Sequence, residues 1–215
     1  MPNSGGSRVL FRTAKIENSG AVAELIYIAA QSHYTNSGFD LSLGGTRASQ
    51  LAELRKLTVT KSPSWFHHSH FQVAEVEGKI AAGAAGYERI AADALLCFAL
   101  LEIGWNPESI AALGHRLEKV FSGFPPEPSG FWTVDHVAVL PDWRGRGLAR
   151  GCLRATFERG KKQGFAKAKL DVFRGNRAAR TLYDSCGFQL SATFDNKALR
   201  TLLKRDAIER LILTL

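Results

Sequence analysis

The short run Arg144-Gly-Arg-Gly-Leu-Ala149 holds the chain's clearest chemical signal. Its glycines allow a tight turn that brings main-chain N–H groups close to a ligand. The apolar run Trp132 to Leu140 before it reads as a buried strand stopped by Pro141, and a helix opens near Gly147. A strand, a glycine turn and a helix N-terminus aim free amides, a helix dipole and three arginines (Arg144, Arg146, Arg150) at one point. That arrangement suits a pyrophosphate. It is not a Walker loop, since no Gly-Lys-Ser/Thr follows, and Arg150 stands where a dinucleotide fingerprint would place its third glycine. On these six residues alone, an ordinary strand-to-helix turn is an equal reading.

Charge sharpens the signal. The net +8 of the 215 residues is concentrated between 141 and 180, where twelve Lys/Arg face three acids, leaving the remainder at −1. A local excess of +9 around the glycine turn fits a compact polyanion better than a long polymer laid over the surface, so nucleic acid is not the expected partner.

Two further groups could do chemistry. Asp135 sits mid-strand, where burial would raise its pKa toward that of a useful base; facing solvent or capping a loop is the competing reading. His136 and Glu88 are the next bases in line. Tyr183 lies on the apolar stripe of a helix whose members are Ala179, Leu182, Tyr183 and Cys186, which by itself describes a core tyrosine. His67-His-Ser-His70 lacks further ligands at metal spacing and reads as solvated loop histidines, so no metal is expected.

The elements that must position these groups follow from periodicity. Arg8–Ala14 reads as a first strand. A helix capped by Asn18 or Ser19 runs to about Ser32, with Val22, Leu25, Ile26 and Ala29 on one side. Asn36–Gly45 is a Gly/Ser-rich loop, and a helix carrying Leu51, Leu54 and Leu57 follows. Phe71–Gly83 reads as a hairpin turning at Glu77-Gly78-Lys79, its second strand continuing to Tyr87 or Ile90. Helices are expected at 92–102 and 107–121, and Phe124–Gly130 is a stiff connector. The block 91–130 is long for a connection and reads as a helical insert. Helix 147–163 carries an inner stripe of Leu148, Ala149, Cys152, Leu153, Thr156 and Phe157. Strand 168–173, a helix capped by Asn176 and ended by Gly187, strand 188–194 and a last strand at 208–213 complete the chain.

These elements make one α/β domain, 8–215, a mixed central sheet of about seven strands with helices on both faces, after a flexible tail at 1–7. With 45% hydrophobic residues a proper core is affordable, and no apolar run reaches the roughly 18–20 residues of a membrane span. The three cysteines are far apart and read as buried reduced thiols of a cytoplasmic protein.

Read together, these segments resemble the GNAT superfamily of N-acetyltransferases. Arg144-Gly-Arg-Gly-Leu-Ala149 is similar to that family's Arg/Gln-x-x-Gly-x-Gly/Ala element. Asn176-Arg-Ala-Ala-Arg-Thr-Leu-Tyr-Asp-Ser-Cys-Gly-Phe188 is similar to its Asn-x-x-Ala-x-x-Leu-Tyr element followed by Gly-Phe. The resemblance implies a GNAT-like fold in which acetyl-CoA lies between two splayed parallel strands, Thr133–Leu140 and Lys169–Phe173. It implies that main-chain groups along Val137, Ala138 and Val139 meet the pantetheine arm. The amides of Arg144, Gly145, Arg146, Gly147, Leu148 and Ala149 would hold the pyrophosphate. Asn176 and Ala179, at the second strand–helix junction, would border the cofactor, and Arg150, Arg174 and Arg177 would reach its 3′-phosphate. Tyr183 would protonate the leaving thiolate, and Asp135 or a water chain would take the amine's proton. The implied reaction is direct transfer in a ternary complex to a primary amine, of a small molecule in the first reading and of a protein in the second. A non-catalytic CoA-binding module, an RNA-binding domain and a homodimeric assembly are the other readings to be weighed.

Overall fold

The computed structural model describes residues 8–121, 127–195, 197 and 199–215. The expected tail at 1–7 and part of the Phe124–Gly130 connector lie outside the described residues.

Strands β1 (Val9–Thr13), β2 (Phe71–Val76), β3 (Lys79–Glu88), β4 (Phe131–Val139), β5 (Lys167–Phe173), β6 (Gln189–Phe194) and β7 (Ile208–Thr214) form a sheet in the order β1-β2-β3-β4-β5-β7-β6. Every neighbouring pair is antiparallel except β4 and β5. Antiparallel hairpins need only tight turns, and Glu77-Gly78 supplies one with both residues at positive φ. The parallel pair needs a crossover, which helix α7 provides below.

Helix α1 (Ser19–Gln31) buries Val22, Leu25 and Ile26 against the sheet, at the spacing of one helical face. With α2 (Phe39–Ser42) and α3 (Arg47–Leu57) it builds the first apolar layer. On the opposite face α7 (Leu148–Lys162) buries Leu148, Cys152, Leu153, Thr156 and Phe157, and α8 (Arg177–Ser185) adds Tyr183. Between β3 and β4 stand α4 (Arg89–Ala94), α5 (Leu96–Glu102) and α6 (Pro107–Phe121).

The expected helix at 92–102 is in fact two, α4 and α5, meeting at Leu95. The Asn36–Gly45 loop contains α2, where Asp40 accepts from the Ser37 amide and anchors Gln50. A π-type turn at Leu199–Leu203 carries no periodic signal. Of the cysteines only Cys152 is fully buried; Cys186 is half-buried and Cys97 exposed, so the expectation of buried thiols holds for the first alone.

The histidine run is also corrected. His68 Nδ1 lies 2.7 Å from the Thr58 carbonyl, His70 Nε2 lies 3.1 Å from the Pro63 carbonyl, and His67 Nδ1 lies 2.7 Å from Ser69 Oγ. These are structural bonds packing the 58–70 segment, not solvated loop histidines. Burial, aided by the neighbouring His68 and His70, lowers the His67 pKa to about 4. A group depressed in the native state stabilises the fold above its unfolded pKa near 6.5 and loses that contribution as pH falls. Stability in urea is therefore expected to decline between about pH 6.5 and pH 4. His67→Asn, which keeps an acceptor, should flatten that decline; a slope identical to wild type would remove His67 as its source.

Candidate acetyl-transfer site

β4 and β5 pair over three residues only: Phe131 with Lys167, Trp132 with Ala168 and Thr133 with Lys169. Beyond Thr133 β5 stays on β7 as far as Phe173, while β4 stays on β3. The two parallel strands therefore part. The cause lies in β4. Its register with β3 shifts so that His136 and Val137 together oppose Ala84, and His136 adopts φ 48°. Such a bulge bends its strand and increases the local twist. A left-handed conformation at a non-glycine residue costs roughly 1–3 kcal/mol, which the surrounding sheet must offset.

The opening leads into a cavity of about 1360 Å³. Single-ligand pockets usually enclose roughly 300–1,000 Å³, so this one has room for two reactants. Its wall includes Asp135, Val137, Ala138, Val139, Arg144, Gly145, Ala149, Arg150, Asn176, Ala179 and Tyr183. Strand, turn and helix α8 thus bring together residues that lie up to 48 positions apart in sequence.

At the mouth, Gly145 and Gly147 have φ 77° and 74°, and a methyl group at either would meet nothing within 4 Å. Space is not what selects glycine there; backbone conformation is. The amides from Gly145 to Arg150 have no protein acceptor among the described residues. The last three open α7, whose dipole adds about 0.3–1 kcal/mol for an anion there.

Several side chains depart from expectation. Arg146 turns aside: its guanidinium lies 4.7 Å from the Trp143 ring centre and donates to the Asp142 carbonyl at 3.3 Å, leaving only its amide at the turn. Gly147 and Leu148 are not among the residues lining the cavity, and the Leu148 side chain is buried in the core. Arg150 donates to Ser185 Oγ at 2.8 Å, joining α7 to α8. Arg144 Nε donates to the Val139 carbonyl at 3.4 Å, a long contact that leaves the oxygen's second lone pair open. Asn176 Oδ1 accepts from the Ala179 amide as a helix cap, and its Nδ2 donates to Ser32 Oγ at 2.8 Å. The side chain braces α8 against the end of α1 while lining the cavity. Arg177 borders a separate, smaller hollow, and Arg174 pairs with Glu209 at 3.8 Å.

Tyr183 is the core tyrosine its stripe describes, and it also reaches the cavity. It packs in the core against Phe188 and lines the cavity with 8% of its surface exposed. Its hydroxyl has no protein partner among the described residues. Burial, then the nearby charge of Asp135, push its pKa well above the ordinary tyrosine value, so it keeps its proton at neutral pH.

For Asp135 the expected direction reverses. Burial does push its pKa up, but the charges of His136 and Arg89 outweigh it. They are joined by hydrogen bonds from the Tyr87 hydroxyl at 2.8 Å and the His136 amide at 2.7 Å. The net result is a carboxyl held below its usual range, an anion at any working pH. His136 is stacked between Phe66 and Phe71, and burial lowers its pKa against the opposing pull of the Asp135 carboxylate. Sequence reasoning missed Tyr87, Arg89 and Glu127 as neighbours of this centre, since no local pattern signals a partner 48 residues away.

A family model, the acetyltransferase (GNAT) family, matches residues 49–188. The chain belongs to that family. That family uses acetyl-CoA. The acetyltransferase is 36% identical over 76 residues to [Ribosomal protein bS18]-alanine N-acetyltransferase of Escherichia coli K12, a match covering 35% of this chain. The chain spans about half the length of the curated relatives it matches, 51%. Its fold is similar to that of an N-acetyltransferase from Staphylococcus aureus Mu50, with a TM-score of 0.73 at 22% identity, covering 95% of this chain and all of that one. It is also similar to a putative acetyltransferase from Salmonella typhimurium solved with its cofactor acetyl-CoA. There the TM-score is 0.57 at 18% identity over 96% and 94% of the two chains. Among the described residues no cluster of three or more metal-binding side chains occurs, and no helix is long and apolar enough to cross a membrane.

Gly147→Ala should cost the acetyltransferase roughly 1–2 kcal/mol in urea unfolding through its positive φ alone, since no clash accompanies it. An unchanged midpoint would mean the turn relaxes freely and is not held in the conformation described.

Proposed function

We propose that this cytoplasmic enzyme transfers the acetyl group of acetyl-CoA to a primary amine of a small molecule, by direct attack in a ternary complex. One observation carries the reading: the parted β4 and β5 open beside six unpartnered amides into a cavity that also holds Asp135 and Tyr183. The pantetheine arm lies along the freed edge of β4 as an added strand would, and the diphosphate rests on the Gly145–Arg150 amides. Arg144 and Arg150 add charge at the same mouth.

The two reactants are held for attack in a shared cavity, and this positioning supplies much of the acceleration. The acceptor enters as an ammonium and docks at Asp135. A carboxylate held below its usual pKa is a weak base and a good counter-ion, so the proton leaves through the cavity to water. The free amine attacks the thioester carbon, forming the C–N bond. Amides of the open β4 edge stabilise the oxyanion of the tetrahedral intermediate. As the C–S bond breaks, Tyr183 donates its proton to the thiolate while the nitrogen gives up its second proton to cavity water, which returns a proton to the phenolate.

A protein amine is the second reading, favoured by the likeness to an enzyme named for a ribosomal-protein alanine. The small molecule is preferred because α2, α5 and α6 wall the cavity. Tyr183→Phe should lower kcat by about 10²–10⁴ while the KM for acetyl-CoA stays unchanged. Equal turnover at every pH would remove Tyr183 from the mechanism. In thermal unfolding, acetyl-CoA and CoA should each raise Tm and a short RNA should not; the reverse pattern would end the enzyme reading.

A further inference from the structure

The class of amine follows from how charge and apolar surface are divided inside the cavity, and this inference rests on the reading just given. Four acids line the cavity: Asp93, Glu127, Asp135 and Asp171. Three have a cation at ion-pair distance. Asp93 has Arg89 Nε at 2.7 Å, Glu127 has the buried Lys169, and Asp171 has Arg210 at 2.8 Å in a two-pronged contact. Asp135 does not share this pattern. Its hydrogen bonds come from two neutral donors, and its only ion-pair neighbour among the described residues is His136 Nδ1 at 3.8 Å. Arg89 acts on it from further off, committed to Asp93 and stacked 4.0 Å from the Trp65 ring centre. The Asp135 side chain is 34% exposed, into the cavity. A ligand that covers it strips water from an anion with no hydrogen-bonded cation, at considerable cost unless the ligand brings one.

The side of the cavity formed by α5 and α6 is apolar. Leu96 and Leu100 of α5 and Leu113, Leu117 and Phe121 of α6 line it. On α6 the apolar positions 110, 113, 117 and 121 recur at helical spacing. That helix packs on α2, α5 and the 199–203 turn rather than on the sheet, with Arg116 donating to the Ser42 carbonyl at 3.2 Å. Its stripe therefore roofs the cavity. Hydroxyls or a second charge placed under that roof would lose water without gaining a partner.

We propose that the acceptor is a lipophilic primary amine, an ammonium on an alkyl or aralkyl body, its nitrogen at Asp135 and its body under Leu100, Leu113 and Leu117. Hexylamine and 2-phenylethylamine meet this description. Ethanolamine, spermidine and a peptide with an N-terminal alanine do not.

The test is steady-state CoA release at saturating acetyl-CoA. Across a series from propylamine to octylamine, kcat/KM should rise about fourfold per methylene until the cavity is filled. Hexylamine should exceed ethanolamine and spermidine by at least about tenfold. Leu117→Asn should lower kcat/KM for hexylamine about tenfold through KM, and lower it for ethanolamine by a smaller factor. The chain-length series needs no variant, so it stands if Leu117→Asn fails to fold. If acetyl-CoA raises Tm but the series is flat, or spermidine or the alanine peptide is preferred, the proposed acceptor class falls and acetyl transfer stands. If acetyl-CoA neither raises Tm nor supports transfer to any amine, both fall.

Discussion

The separation of β4 from β5 after three paired residues is the constraint on which the site depends. A parallel pair joined by a helical crossover would ordinarily stay zipped along its length, burying main-chain groups in mutual hydrogen bonds. Here β4 is held by β3 on one side and bent by the bulge at His136 and Val137, while β5 is held along its full length by β7. Each strand follows its other neighbour. Main-chain polar groups are left facing a gap, and the proposed acyl carrier, with amide groups of its own, would satisfy them.

The same division sorts the charges. The basic excess of residues 141–180 looked like a single patch, but folding splits it. Lys169 and Arg180 are consumed in pairs with Glu127, Asp184 and Glu209, while Arg144 and Arg150 remain at the mouth. At the inner end the acids are neutralised one by one except Asp135. An anion grip at one end and an anion without a hydrogen-bonded cation at the other would orient the two proposed substrates, phosphates at the turn and ammonium at the strand.

What could be read from the sequence was whatever is local. The glycine turn, the Asn176 cap, the 71–88 hairpin and the stripe of α7 each depend on residues within a few positions of one another, and each stands in the structure. So do the seven strands and the two helical layers. Functions set by distant partners were not readable. The pKa direction of Asp135 turns on Tyr87, Arg89 and His136, and burial alone pointed the wrong way. The Asn176 side chain also braces Ser32, 144 positions away. The positive φ of His136 has no signature at all, since histidine is not a residue chosen for that conformation.

Hydrogen–deuterium exchange with and without acetyl-CoA tests the parted strands most directly. Exchange should slow on the amides of Gly145–Arg150 and along Val137–Val139, with β2, β6 and their hairpin partners unchanged. Protection confined to other surfaces, or none at saturating ligand, would contradict the assignment of this gap as the seat of the acetyl donor.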